Sequence, residues 1–229
     1  MKFDFAPFFK RYEAISALAQ NVFDQVSTNH ASCVRCNRGC DDCCYALFDL
    51  TFIEAFYINH QFNRLFQGKN KLDQVEKANR IDRRIYKIKK NAFKELNSGK
   101  NEDSILLDMA KVRIRCPLLN DENLCDLYEY RPITCKLYGI PTAIRGEGYS
   151  CGKSGFSEGH EYPTVNLDPI QSELFKISSD LLSEIKSKHL RLAEMLIPIS
   201  MAILTDFDTE YLGIDDHEER EKDDSKKSN

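Results

Sequence analysis

Nine cysteines occupy two windows of the 229-residue chain: Cys33, Cys36, Cys40, Cys43 and Cys44, then Cys116, Cys125, Cys135 and Cys151. The first window reads Cys-x2-Cys-x3-Cys-x2-Cys-Cys and the second Cys-x8-Cys-x9-Cys-x15-Cys. Thiolates two and three residues apart can be turned by short loops onto one soft metal ion, at about 2.3 Å from each sulfur for zinc, or onto an iron–sulfur cluster. Gly39 permits the positive φ that a knuckle-like turn requires. As plain buried hydrophobes, the cysteines at 33, 36, 40 and 43 would share one helix face. Asn37, Arg38, Asp41 and Asp42 are poor company for such a dry core. Neighbouring side chains point apart, so Cys43 and Cys44 serve different metals or different corners of one cluster. One tetrahedral zinc has no need of five local cysteines. The second window is too wide to be a ligand motif alone, and together the two supply eight candidate ligands plus one.

Composition sets the context in which these thiols work. With 42% hydrophobic and 30% charged residues the chain can bury a core of its own. Asp4, Lys10, Arg11 and Glu13 interrupt the apolar content of the N-terminus, so no secretory signal is expected and a cytoplasmic location is. Disulfides are rare in that compartment, and an odd cysteine count sits poorly with a full disulfide framework, which leaves metal ligation as the better account of the sulfur. No membrane partner is expected. The net charge is −4, and residues 215–229 hold seven acidic against four basic residues, so the body is close to neutral. Residues 64–100 carry twelve Lys and Arg against four Asp and Glu, but they lack the aromatic interleaving of a single-strand platform, and nucleic acid is not expected as a partner.

The elements that must position the cysteines are mostly helical. Phe8, Tyr12, Ile15, Leu18, Ala19 and Val22 recur at helical spacing and predict a helix over 7–29 that delivers the chain to the first cysteine window. Thr51 and Glu54 form a capping box that opens a helix running to about residue 66. A break at 68–70 precedes a long helix whose apolar stripe runs from Leu72 to Leu96 and ends near Ser98-Gly99. Val112, Ile114 and Cys116 alternate with arginines before the turn residues 120–123, which predicts a short hairpin. Gly and Pro crowd residues 132–163, where irregular backbone is expected. Asp168 as N-cap and Pro169 at the first helical position open a broken helix or helical hairpin over 170–204, with Pro198 as kink or boundary. The expected fold is mainly α: one helical domain over 1–214 around a cysteine-rich, loop-built metal centre with one or two short β-hairpins, then a disordered charged tail over 215–229.

The run Cys36-x3-Cys40-x2-Cys43-Cys44, followed by Phe48-Asp-Leu-Thr-Phe-Ile-Glu-Ala55, Cys116-Pro-Leu-Leu and Cys125-Asp-Leu-Tyr-Glu-Tyr-Arg-Pro-Ile-Thr-Cys135, resembles the YkgJ family of cysteine cluster proteins, described as zinc- or iron-chelating domains. The resemblance spans roughly residues 33–151. It implies that Cys36, Cys40, Cys43, Cys44, Cys116, Cys125 and Cys135 are metal ligands, with Cys151 as their partner and Cys33 additional to the pattern. The family includes the flagellin lysine-N-methylase, and that resemblance implies S-adenosylmethionine chemistry on a protein or peptide substrate.

Three functional readings follow. The first is a cytoplasmic protein holding an iron–sulfur cluster, such as 4Fe-4S, and/or zinc, with its reaction unassigned and redox chemistry available to it. The second is an S-adenosylmethionine-dependent protein lysine N-methylase. The third is a zinc-stapled interaction module. Of the other residues, Glu54 is explained by its capping box, and Arg131 is suited to a carboxylate or to a local ion pair. His30 and His160 have no ligand-like spacing partner, and packing accounts for Tyr128, Tyr130, Tyr138, Tyr149 and Tyr162.

Overall fold

In the computed structural model, which describes residues 3–214, seven α-helices and five short strands are arranged so that loops carry most of the cysteines. Helix α1 spans Ala6–Asn29, α2 Phe52–Leu65, α3 Gly68–Asn97, α4 Glu102–Ala110, α5 Ile133–Leu137, α6 Asp168–Glu184 and α7 Ile199–Leu204. Strand β1 is Asp49–Thr51, β2 Thr142–Ile144, β3 Glu147–Tyr149, β4 Val165–Asn166 and β5 Leu196–Pro198. The mainly α expectation is met. The expected tail over 215–229 lies outside the described residues.

Helix α2 is the centre of the molecule. Its residues from Phe52 to Asn59 are buried on every face, among Tyr12, Ala19 and Val26 of α1, Leu174, Ile177 and Leu181 of α6, and Ala202 and Ile203 of α7. Burial of that kind is the main stabilising term in such a core, at about 1.5–3 kcal/mol for each large apolar side chain removed from water. The capping box forms as the sequence predicts. Ser178 of α6 accepts a further hydrogen bond from the Ile53 N–H at 3.1 Å and donates to Leu174 O at 2.8 Å. Asn59 donates to the carbonyls of Ala202 and Thr205, both at 2.9 Å, and so satisfies the end of α7.

Two small sheets complete the frame. Strand β1 pairs antiparallel with β5, Leu50 opposite Ile197, so the residues that follow the first cysteine window are fastened to the C-terminal part of the chain. Strands β3, β2 and β4 form the second sheet, with β2 antiparallel to β3 and parallel to β4.

Several local expectations are corrected. The hairpin predicted around residues 112–125 is reduced to isolated bridges, Leu119 with Cys125 and Ala46 with Arg113, because Pro117 has no N–H to donate and Arg115 takes the Leu119 and Asn120 carbonyls. The hairpin that does form is β2–β3, inside the Gly- and Pro-rich stretch. Residues 68–70 begin α3 rather than break it, and the distal part of its apolar stripe is solvated, with Leu96 44% exposed. Asp168 lies inside α6, and its carboxylate accepts from the Arg145 N–H at 3.0 Å instead of capping its own helix. The helix of 170–204 ends at Glu184, followed by Lys186 at φ +52°, well before Pro198. Helix α4 carries Ile105, Leu106 and Leu107 in a row without helical spacing, and of these only Ile105 is buried.

Candidate metal centre

The cysteine windows do not survive as spatial groups. Cys43 and Cys44 leave the first window to join Cys116, Cys125 and Cys135 around one cavity of about 420 Å³. Cys36 and Cys40 stand instead with Cys151 at a much smaller void of about 10 Å³. Cys40 touches both spaces, and Cys33 touches neither.

Backbone pairing brings the five thiols together. Cys43 and Cys44 lie in a 3-10 turn over Asp42–Tyr45, where three residues per turn send adjacent side chains in different directions. The Cys44 carbonyl accepts from the Cys116 N–H at 2.6 Å and the Tyr45 carbonyl from the Ile114 N–H at 2.9 Å, a short antiparallel contact that joins the two cysteine windows. Asn120 N–H to Leu124 O at 2.9 Å and Asp126 N–H to Leu118 O at 2.8 Å close the loop that presents Cys125. Cys135 rides on α5, where Glu54 reaches across from α2. Its carboxylate accepts from Thr51 N at 3.3 Å, Thr51 Oγ1 at 3.1 Å and Ile133 N at 3.3 Å. The capping residue of one helix thus fixes the start of another. Burial pushes the Glu54 carboxyl up, against the downward pull of those three bonds.

The electrostatics separate Cys43 from its neighbours. Its sulfur accepts from the thiols of Cys135 and Cys44 and lies in the field of Arg131, which holds it far below the ordinary thiol range. Cys135 and Cys44 are raised as the donors in that set and by burial. Burial pushes Cys116 up to about 12 and Cys125 up to about 11, although the N–H groups of Leu118 and Leu119 are directed at the first sulfur and that of Leu127 at the second. Backbone donors aimed at sulfur favour the thiolate that a metal would require. Arg131 lines the cavity, lies over the Tyr128 ring at 4.3 Å and donates to Gln20 Oε1 at 3.3 Å. Among the described residues it has no carboxylate partner.

The donor set fits a thiophilic group. Around the large cavity the side chains best suited to a soft metal are the cysteines, set beside Phe48, Ile58, Leu118, Leu127 and Ile199, with Asn37, Asn123, Tyr128 and Tyr130 also on the wall. Among the described residues no three Cys, His, Asp or Glu side chains are arranged to hold a metal ion as they stand. The five thiols line one cavity, with Cys43 in contact with both Cys44 and Cys135. The buried hydroxyl of Tyr12 has no hydrogen-bond partner among the described residues, and burial, with Glu54 and Cys135 nearby, holds it well above the ordinary phenol range.

The other singled-out residues fall where chemistry is absent or indirect. His30 packs edge-on against Tyr162 and His160 stacks on the same ring, and neither lines either space. Tyr128 and Tyr130 do line the cavity, and Tyr138 donates to Asp42 at 3.0 Å, so packing is too plain an account of those three. Sequence reasoning missed Asp42 and Gly139. The acidic pair beside the cysteines was the available sign for Asp42, and nothing distinguishes Gly139 from the other glycines of its stretch.

A helical scaffold that gathers eight cysteines of two windows into loop-built pockets defines a metal-chelating domain. The model of the CxxCxxCC family, described as "Putative zinc- or iron-chelating domain", matches residues 35–152, and the chain belongs to that family. The chain matches no curated protein and no solved structure. Among the described residues no helix is long and apolar enough to cross a membrane.

Proposed function

We propose that the protein holds an iron–sulfur cluster in the large cavity, on four of the five thiols of Cys43, Cys44, Cys116, Cys125 and Cys135. The observation that carries this reading is the cavity itself: about 420 Å³, lined by sulfur from both windows together with apolar and aromatic side chains and the guanidinium of Arg131. A single zinc needs four donors converging on one point, whereas a cluster needs its thiolates spread around a volume. When bound, the cluster supplies one-electron chemistry at a potential set by its surroundings. The chain's own residues exclude water through Phe48 and Leu118, hold Cys135 through Glu54, and offset thiolate charge through Arg131. These roles suit a redox protein or an electron carrier.

A second reading draws on Arg131. A guanidinium with no carboxylate partner among the described residues, facing the same cavity, suits the carboxylate of a small molecule, including the amino-acid end of S-adenosylmethionine in methyl transfer to a protein lysine. The test is iron, zinc and acid-labile sulfide content, with a visible spectrum, on protein purified without oxygen. Iron with equivalent sulfide and broad visible absorption is the expected result. Zinc without sulfide would overturn the cluster reading and favour a zinc-stapled interaction module.

A further inference from the structure

We infer that the outer face of α3 is a docking surface for an acidic amphipathic helix of a partner protein. This goes beyond the metal centre and does not depend on what is held there.

The face carries one motif twice. Arg83-x2-Tyr86-Lys87 is followed seven residues on by Lys90-x2-Phe93-Lys94. Seven residues are close to two turns of an α-helix, so the second set repeats the first on the same side, about 10.5 Å further along. Arg83, Lys87, Lys90 and Lys94 follow one another at steps of four, three and four, the spacing of a single helical stripe. Tyr86 and Phe93 stand beside that stripe. The opposite side of α3 holds the helix to the body, through Gln74, Ala78 and Ile85.

All six side chains of the repeated motif are exposed, Tyr86 at 61% and Phe93 at 63%. Two rings so far out of the core gain little from the fold. The Lys90 ammonium lies over the Tyr86 ring, 5.6 Å from its centre. Exposed aromatic rings set among cations are a combination that protein interfaces use, the rings as anchors and the charges for orientation.

The charge of this face is uncompensated. From Lys77 to Lys94 the helix holds eight Lys and Arg against Asp82 alone, and the Asp82 carboxylate accepts from Ser200 Oγ at 3.0 Å. Arg80 pairs with Glu76, Lys89 with Asp49, and Glu95 with Lys100. Arg83, Lys87, Lys90 and Lys94 have no carboxylate partner among the described residues. Like charges three and four residues apart destabilise the helix that bears them, and a merely solvated face relieves this by alternating them with acidic residues. Here an anionic partner supplies the relief.

Periodicity decides which polyanion fits. A helix laid along α3 returns its own side chains about every seven residues, so its apolar residues can meet Tyr86 and then Phe93 while flanking carboxylates meet the four cations. Two rings two turns apart do not give successive bases of a single strand neighbouring platforms. The broad apolar face that a membrane-surface helix needs is turned inward on α3. A second copy would set cations on cations. Residues 215–229 are acidic but contain no large apolar residue to cover the rings.

The probe is a fluorescein-labelled peptide of three heptads, with Leu at a and d and Glu at e and g, titrated into the full chain and followed by anisotropy at low salt. The wild type is expected to bind it, and Lys87→Glu combined with Lys90→Glu to weaken binding by about tenfold or more. A peptide with Lys in place of its Glu should bind that variant and not the wild type. Phe93→Ala should weaken binding about tenfold, and added salt should lower affinity without removing that difference. No binding by the wild type, binding indifferent to the charge reversal, or tighter binding of a single-stranded oligonucleotide or of phosphatidylserine vesicles than of the peptide would each overturn the proposal. If the charge-reversed variant fails to fold by circular dichroism, Phe93→Ala and a peptide with Gln in place of Glu decide, and unchanged affinity in both overturns it. None of these substitutions touches a cysteine, so iron, zinc and sulfide content should be the same throughout, and the outcome is read independently of the cluster.

Discussion

Replacing Gly139 by alanine tests how far the site can be separated from the fold. The added methyl would stand 2.0 Å from the Cys36 sulfur, 3.3 Å from its Cβ and 3.4 Å from Phe23 Cε2. Ordinary contact is about 3.5–4.0 Å, so the sulfur must retreat by about 1.5–2 Å. The last two contacts are tight and need small adjustments only. The backbone at 139 is not in the left-handed region, so alanine adds no conformational strain there. The sulfur is the free end of a side chain and can rotate away, which puts the cost near the low end of the overpacking range, about 1 kcal/mol. For a chain of this size that lowers Tm by roughly 2–4 °C. A metal–thiolate bond tolerates only about 0.2 Å of error, so the same movement removes Cys36 from the ligand set. If Cys36 is a ligand, as the family resemblance implies, zinc affinity should fall about 10- to 100-fold, as it does when a residue orienting a ligand is lost. Competition titration, a thermal melt of metal-free protein and the rate of Cys36 alkylation measure the three effects. Unchanged zinc affinity together with unchanged Cys36 reactivity would refute the reasoning, because the glycine would then not be what seats the sulfur.

Glu54→Ala removes the acceptor of three hydrogen bonds and should cost about 2 kcal/mol in denaturant unfolding, with faster alkylation of Cys135, since relief of a buried carboxylate offsets part of the loss of the cap and of the Ile133 N–H partner. Equal stability and equal Cys135 protection would show that the carboxylate does not anchor α5. Arg131→Ala withdraws the cation that lowers Cys43, so the Cys43 thiol should titrate higher and, with a cluster bound, the midpoint potential should fall, because the reduced and more negative form loses its counter-charge. An unchanged potential in direct electrochemistry would place Arg131 outside the cluster's field. Burial pushes Cys36 and Cys125 up to about 11 and Cys116 up to about 12, so these thiols keep their protons near neutral pH until metal displaces them. Apparent metal affinity should therefore rise with pH, by up to about tenfold per unit for each proton displaced. Calorimetry in buffers of different ionisation enthalpy counts those protons, and a count of zero would show the thiols already ionised.

The sequence is most informative where structure is local. The periodicity of α1 and the Thr51–Glu54 box are satisfied within a few residues, and both stand as predicted. Pattern alone cannot report partners distant along the chain. That Cys36 faces Cys151 and not Cys43 is decided by the reversal at Gly39, by the missing β-carbon of Gly139 and by the tie from Gly155 to Cys33, three features far apart in sequence. The reach of Glu54 to Ile133 is hidden for the same reason, since the capping box already explains the residue. Strands as short as β1 and β5 carry too few residues for an alternating pattern, and their pairing is visible only once the chain has closed on itself.

The interleaving of the two cysteine windows has a topological consequence. A metal ion shared by Cys40 and Cys151 would close a ring of more than a hundred residues that contains all of α2, α3, α4 and α5. A cross-link of that span takes from the unfolded chain freedom equivalent to about 4–5 kcal/mol in chain-entropy terms. The clasp lies at the ends of the ring and the large cavity within it, so heat or denaturant could melt the enclosed helices while the ring stays shut. Refolding would then start from a chain in which Cys40 and Cys151 had never parted.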